Sequence, residues 1–64
     1  MTIKGIIEAY RDELEVSTED LVKYAGISKA TLYRCYRDSD LWKLGTLNSI
    51  YKLLNVPKEE RIYT

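Results

Sequence analysis

Two short helical patterns, joined by a tight turn at Gly26, lie near the middle of this 64-residue chain. Ser17 begins the first pattern as an N-cap, because its hydroxyl can accept a hydrogen bond from the backbone amide three residues further on. Leu21, Val22 and Ala25 then form one apolar stripe over two helical turns. Gly26 adopts a left-handed backbone conformation at little steric cost, so we expect this helix to end at Ala25 or Gly26.

The residues after Gly26 repeat the same start signal. Ser28 is a second N-cap residue, and the pattern that follows predicts a helix from near Lys29 to about Tyr36 or Arg37. Two short helices joined by a glycine turn make a helix-turn-helix. This motif constrains the fold more than any other feature of the chain.

The second helix of the motif is predicted to have two different sides. At 100° per residue, its inward side carries Leu32, Cys35 and Tyr36. Its outward side carries Lys29, Ala30, Tyr33, Arg34 and Arg37. We therefore expect a buried thiol at Cys35 and a basic, solvent-facing surface on the opposite side.

Charge is distributed unevenly along a chain whose formal net charge is zero. Residues 21–37 contain four bases and no acid, a local charge of +4 that suits phosphate binding. Residues 8–20 contain six acids and one base, a local charge of −5. Such a dipolar chain could bind nucleic acid with its basic side, and two oppositely charged solvated surfaces are an equally good interpretation.

The segments on either side of the motif also have helical periodicity. The first segment carries apolar residues at Ile3, Ile6, Ile7, Tyr10 and Leu14. The last carries Leu44, Leu47, Ile50, Tyr51 and Leu54, followed by Asn55 as a left-handed stop. These patterns predict a first and a fourth helix that cover the motif, with Leu32 buried between them and the second helix.

Three short segments leave alternatives open. Leu41 and Trp42 either begin the fourth helix or form a hydrophobic plug between helices. Residues 57–61 form either a short fifth helix begun by a proline or a frayed end. Ile62 and Tyr63 either fold back on the core or meet a second chain.

Composition argues against several classes of protein. With one cysteine and no histidine, the chain is not expected to hold an internal disulfide, a Cys/His zinc site or another metal. Without a Gly-rich phosphate loop or an activated nucleophile, no enzyme activity, cofactor or small-molecule ligand is expected. No long apolar run and no signal peptide occurs, so we expect a soluble cytoplasmic protein. Residues 1–64 are predicted to form one compact all-α domain, a four- to five-helix bundle.

The spacing of the motif residues resembles the helix-turn-helix of phage Cro and repressor proteins, the XRE family. Residues 18–34 look like the core of that family's motif, with Gly26 at the turn and Ser28 as the second cap. Residues 44–56 resemble the helix that follows in the family, and the whole resemblance covers roughly residues 3–56. It implies a lambda-repressor-like fold.

The resemblance also implies which residues meet DNA, because in this family the second motif helix enters the major groove while the first crosses the backbone. Base edges would be read by Lys29, Ala30, Tyr33 and Arg34, and phosphates would be held by Thr18, Ser28 and Arg37. Arg34 is the best candidate for bidentate recognition of guanine. Among the six tyrosines, Tyr33 is the one expected outside the core spacing.

We therefore expect sequence-specific binding of double-stranded DNA by a bacterial or phage transcription regulator of repressor type. One helix reads only about four base pairs, so a homodimer is expected, at least on DNA. Its contact would use the end of the fourth helix with Ile62 and Tyr63, although a monomer that dimerises only on DNA is equally compatible. The alternative is a protein-interaction module, such as an antitoxin-like or adaptor protein built on the same bundle.

Overall fold

The computed structural model describes residues 1–63, and the regular elements in that range are all helical. Four α-helices follow one another: α1 (Ile3–Glu13), α2 (Thr18–Ala25), α3 (Lys29–Arg37) and α4 (Leu44–Leu53). Two single-turn 3-10 helices, Ser39–Leu41 and Lys58–Glu60, follow α3 and α4. None of the helices in residues 1–63 has both the length and the apolar character needed to cross a bilayer. The predicted all-α fold with a helix-turn-helix is confirmed.

Side-chain caps begin three of the four α-helices. Thr2, Ser17 and Ser28 have extended backbone torsion angles, and each accepts a hydrogen bond from the amide three residues ahead. The donor–acceptor distances are 2.9, 3.1 and 3.1 Å. The caps at Ser17 and Ser28 confirm the sequence prediction. The cap at Thr2 was not expected from the sequence, where Gly5 obscures the start of the first helix.

Gly26 ends α2 and turns the chain into α3. Its torsion angles, φ 72° and ψ 30°, are left-handed, as the sequence predicts. The amides of Gly26 and Ile27 donate to the carbonyl groups of Lys23 and Val22 at 3.3 and 3.1 Å. These bonds satisfy carbonyl groups that a helix end would otherwise leave unpaired, so the turn between the two motif helices is tightly defined.

One hydrophobic core holds the four α-helices together. Its buried members are Ile3, Ile6, Ile7, Leu21, Leu32, Leu47, Ile50, Tyr51, Leu54 and Val56. Leu32 has 0 % of its surface exposed, which confirms its predicted burial. Because every α-helix contributes to the same core, we expect the domain to unfold in one cooperative step.

The predicted burial of two apolar stripes is wrong for the residue at the outer end of each. Leu14, which follows α1, is 46 % exposed, and Leu44, the first residue of α4, is 63 % exposed. Leu14 is the C-cap of α1 and Leu44 begins α4, and periodicity alone does not show how far along a helix the buried side continues. The stop after α4 is as predicted, because Asn55 has a φ of 55°.

The structure decides between the alternatives for the segment after α3. Trp42 packs against the core, with its ring centroid 6.3 Å from that of Tyr36, so it is a plug between helices. Leu41 ends the 3-10 helix and is half exposed, and α4 begins only at Leu44. Residues 57–61, for which a short fifth helix and a frayed end were both open, form a single 3-10 turn, Lys58–Glu60.

The last described residues fold back onto α4. The Tyr51 hydroxyl donates to the carbonyl oxygen of Ile62 at 2.6 Å, and the Tyr63 hydroxyl donates to Oδ1 of Asn48 at 2.7 Å. The rings of Tyr51 and Tyr63 pack edge to face with their centroids 5.7 Å apart. Folding back, one of the two alternatives for these residues, is therefore observed.

Candidate nucleic-acid interface

The α3 helix lies with one side against the bundle and the other side toward solvent. Leu32 and Cys35 are buried and Tyr36 is partly buried. The outward residues Lys29, Ala30, Tyr33, Arg34 and Arg37 are all exposed. The structure thus confirms the predicted division of α3 into an inner and an outer side.

A shallow groove follows the outer side of α3. It is lined by Lys4, Ala30, Tyr33, Arg34, Tyr36 and Arg37. Four of these six are predicted DNA-contacting residues, and the structure brings them together on one surface. The rings of Tyr33 and Tyr36 pack edge to face, with centroids 6.2 Å apart. The groove therefore combines cationic groups with aromatic surface, a composition suited to phosphates and base edges.

Lys4 is a groove residue that the sequence did not indicate. It lies in the first turn of α1, and its Nζ is 5.9 Å from the centroid of the Tyr36 ring. A cation at this distance is attracted by the ring, which places the ammonium group beside the C-terminal half of α3. The sequence gives only a weak signal for this position, which is that Lys4 follows the buried Ile3. It does not show that this end of α1 lies beside α3.

The two arginines of α3 are not paired with a carboxylate in the described part of the chain. Within residues 1–63, neither Arg34 nor Arg37 forms a salt bridge. Asp38, the acid that follows Arg37, caps the 3-10 helix instead, because its carboxylate accepts a 3.1 Å hydrogen bond from the Asp40 amide. Both guanidinium groups therefore face solvent with free donors in the described part of the chain.

Lys29 is in a different electrostatic situation from the arginines. Its ammonium group forms an ion pair with the carboxylate of Glu19, in the first turn of α2. The Lys29 side chain lowers the pKa of Glu19, and the Glu19 carboxylate in turn raises the pKa of Lys29. Residues 21–37 exclude Glu19, so the outer surface of α3 carries less free positive charge than the local +4 of that range indicates.

The predicted phosphate contacts lie at two separate places. Thr18 and Ser28 lie at the starts of α2 and α3, whereas Arg37 is the last residue of α3. The Ser28 hydroxyl accepts from the Thr31 amide at 3.1 Å and donates to Oγ1 of Thr31 at 3.0 Å. Its hydrogen-bonding capacity is therefore largely used inside the protein, while Arg37 is free.

A polar network on α1 supports α3 from behind. The Arg11 guanidinium donates to both carboxylate oxygens of Glu8, at 2.7 and 3.3 Å, and to the carbonyl oxygen of Val16 at 2.9 Å. The hydrogen bond from Arg11 is the main cause of a lowered pKa at Glu8. Burial, followed by the hydrogen bond to Glu8, raises the pKa of Tyr36. Glu8, which the sequence suggests is a solvated acid, is thus a structural group.

Two further side chains bear on the predicted chemistry. Cys35 is 5 % exposed, and burial raises the pKa of its thiol, in agreement with the expected buried thiol. Tyr33 is the one tyrosine expected outside the core, but Tyr24 and Tyr63 are also exposed, at 54 % and 41 %. The expectation that the other tyrosines mostly lie in the core is therefore wrong for these two, and Tyr33 is distinguished by its place on α3 rather than by exposure.

Comparisons with known proteins agree with this geometry. No curated protein and no solved structure gives a significant match to the chain. The family model of the Cro/C1-type HTH DNA-binding domain matches residues 7–60, which include both motif helices, the groove residues of α3 and all of α4. The chain belongs to the Cro/C1-type helix-turn-helix DNA-binding domain family.

Proposed function

We propose that this member of a DNA-binding family recognises specific double-stranded sequences with α3 in the major groove and acts as a transcriptional repressor in a bacterium or phage. The observation that carries the proposal is the outer side of α3, where Arg34 and Arg37 face solvent without a salt bridge in residues 1–63. A helix of this kind fits the major groove, and its arginines suit guanine edges and phosphates.

The roles of the outward residues follow from their chemistry and position. Arg34, one turn from Ala30 and next to Tyr33, is the candidate for bidentate hydrogen bonding to guanine. Ala30 and the Tyr33 ring suit the methyl group of thymine, and Lys29 is the fourth candidate for base edges. Arg37, at the end of α3, suits a phosphate.

The starts of α2 and α3 supply the remaining phosphate contacts in this proposal. Thr18 is the first residue of α2, where backbone amides have no intrahelical partner. The Ser28 hydroxyl is engaged with Thr31, so Ser28 would meet a phosphate through its backbone amide. These contacts set the register of α3 and carry no sequence information.

We further propose that the protein binds DNA as a homodimer. A single α3 reads only about four base pairs, and two half-sites about one helical turn apart provide a longer site. The Cα atoms of one protomer extend over 24 × 23 × 18 Å, a size compatible with two protomers side by side on adjacent turns. The exposed side of Tyr63 and the end of α4 are the proposed contact. A dimer on an operator would repress by excluding the polymerase.

The test is selection of bound duplexes from a random pool, followed by gel shifts of the selected sequence and a scrambled control. We expect a preference for the selected duplex and two chains per duplex at saturation. Binding of no duplex, together with capture of a protein partner in a pull-down, would favour a protein-interaction module instead. One chain per saturated duplex in sedimentation would exclude the homodimer alone.

A further inference from the structure

Glu19 and Lys29 form the ion pair that joins the two helices of the motif. Glu19 is in the first turn of α2, and Lys29 is the first residue of α3. The other ion pair within residues 1–63, between Glu8 and Arg11, lies inside α1. The side chains of Glu19 and Lys29 are 67 % and 49 % exposed, so solvent and an incoming ligand can both reach the pair.

This pair sets Lys29 apart from the other cations of the outer surface. Arg34 and Arg37 have no carboxylate partner in the described chain, and Lys4 lies over a tyrosine ring. Glu19 is thus the one carboxylate among residues 1–63 that pairs with a cation of the proposed DNA surface. It holds Lys29 in the way that a DNA phosphate would, with an anionic oxygen against the ammonium group.

Lys29 follows Ser28, a proposed phosphate contact, so a DNA phosphate can approach Lys29 as well as the base edge proposed for it. Such a phosphate meets an ammonium group that is already neutralised by Glu19. To gain the contact, the phosphate must displace the Glu19 carboxylate, or it must lie close to it and be repelled. Either way, part of the attraction that Lys29 would supply is lost, and fewer counterions are released from DNA on binding. Since phosphates are present in every sequence, this loss does not depend on the bases.

We infer that Glu19 is an internal competitor for DNA, which occupies Lys29 in the free protein and weakens binding to all sequences. The inference rests on the proposed function. Its consequence is that the affinity for every duplex is lowered by about the same factor, so the preference between sequences is left to the base contacts proposed for Arg34 and Tyr33.

The experiment compares Glu19→Gln with the parent on a selected and a scrambled duplex, over a range of salt concentrations. Glu13→Gln is the matched control, because Glu13 is an exposed acid at the end of α1 with no ion pair within residues 1–63. We expect Glu19→Gln to bind both duplexes roughly three- to tenfold more tightly, the size of a surface ion pair plus relieved repulsion. The slope of log affinity against log salt should become steeper by about 0.9 per protomer. Glu13→Gln should change affinity by less than about twofold.

A second background tests whether the effect passes through Lys29. In Lys29→Met, the gain from Glu19→Gln should fall to well below its value in the parent. An equal gain in both backgrounds would assign the effect to general charge and overturn the competitor role. If Glu19→Gln instead lost affinity for the selected duplex only, the competitor role would also be overturned, since Glu19 would then be positioning Lys29 for a base. If the parent protein binds neither duplex, both the proposed function and this inference are wrong. If the parent binds and Glu19→Gln has the same affinity as the parent, the inference alone is wrong.

Discussion

The Tyr36 hydroxyl donates a 2.8 Å hydrogen bond to Oε2 of Glu8, which ties the inner side of α3 to α1. Glu8 is also held by Arg11, so one carboxylate connects the start of the chain with the helix proposed to enter DNA. The centroid of the Tyr36 ring also lies 6.3 Å from that of Trp42 and 5.9 Å from Nζ of Lys4. The orientation of α3 thus depends on polar groups of α1 as well as on the apolar core.

This network predicts a pH dependence of stability. Glu8 has a folded pKa below its ordinary value of 4.5, mainly because it accepts hydrogen bonds from Arg11. The stabilisation from this carboxylate is therefore present above its unfolded pKa, and it is lost as the pH falls through the lower, folded pKa. In thermal melts from neutral to acidic pH, Glu8→Gln should lose less stability on acidification than the parent. Equal losses in the two proteins would contradict this role of Glu8.

The hydrogen bond from Tyr36 can be tested at neutral pH. Tyr36→Phe keeps the ring and removes the donor to Glu8, so we expect a loss of about 1 kcal/mol in the free energy of unfolding. Tyr33→Phe is the matched control, because the Tyr33 side chain is exposed on the other side of α3. Urea unfolding of both variants measures the difference, and a control that loses as much stability as Tyr36→Phe would argue against the assignment.

The buried position of Leu32 predicts a large effect of truncation. Leu32→Ala should destabilise the domain by roughly 2 to 5 kcal/mol, since it removes buried methyl groups and leaves a cavity. Leu44→Ala removes the same atoms from a side chain that is 63 % exposed, and should cost less than about 0.5 kcal/mol. Melting temperatures compare the two variants. A Leu32→Ala protein that melts within about two degrees of the parent would contradict the central place of Leu32 in the core.

Arg34 and Arg37 should differ in their effects on DNA binding. If Arg34 pairs with guanine, Arg34→Ala costs about 1 to 3 kcal/mol per half-site and relaxes base preference at one position. If Arg37 holds a phosphate, Arg37→Ala weakens all sequences about equally and makes the salt slope shallower by about one per protomer. Salt titrations on selected and scrambled duplexes separate the two roles. Indistinguishable losses would remove Arg34 from base reading.

Lys4 should contribute to binding in the same way as Arg37. Its ammonium group lines the groove, so Lys4→Ala should weaken binding to selected and scrambled duplexes alike and reduce the salt slope by about 0.9 per protomer. Lys58→Ala, at an exposed position of the 3-10 turn after α4 and outside the groove, is the control for the loss of one positive charge. Equal slopes for the two variants would place Lys4 outside the interface.

The local elements of this protein follow from the sequence because their causes lie within a few residues. A cap such as Ser17 or Ser28 bonds to an amide three positions away, and the left-handed turn at Gly26 needs only the absence of a Cβ atom. The periodicity around Leu32 likewise separates the inner from the outer side of α3. These signals predict the helix-turn-helix, the basic surface and the fold class without tertiary information.

Contacts between helices were decided only by the tertiary structure. Lys4 lies over the Tyr36 ring, although the two residues are 32 positions apart in the sequence. Glu19 pairs with Lys29 across 10 positions, and Glu8 accepts a hydrogen bond from Tyr36 across 28 positions. Each contact depends on the angle at which two helices cross and on how far each extends past the other. Periodicity fixes which side of a helix a residue occupies, but it contains no information about the neighbour on that side.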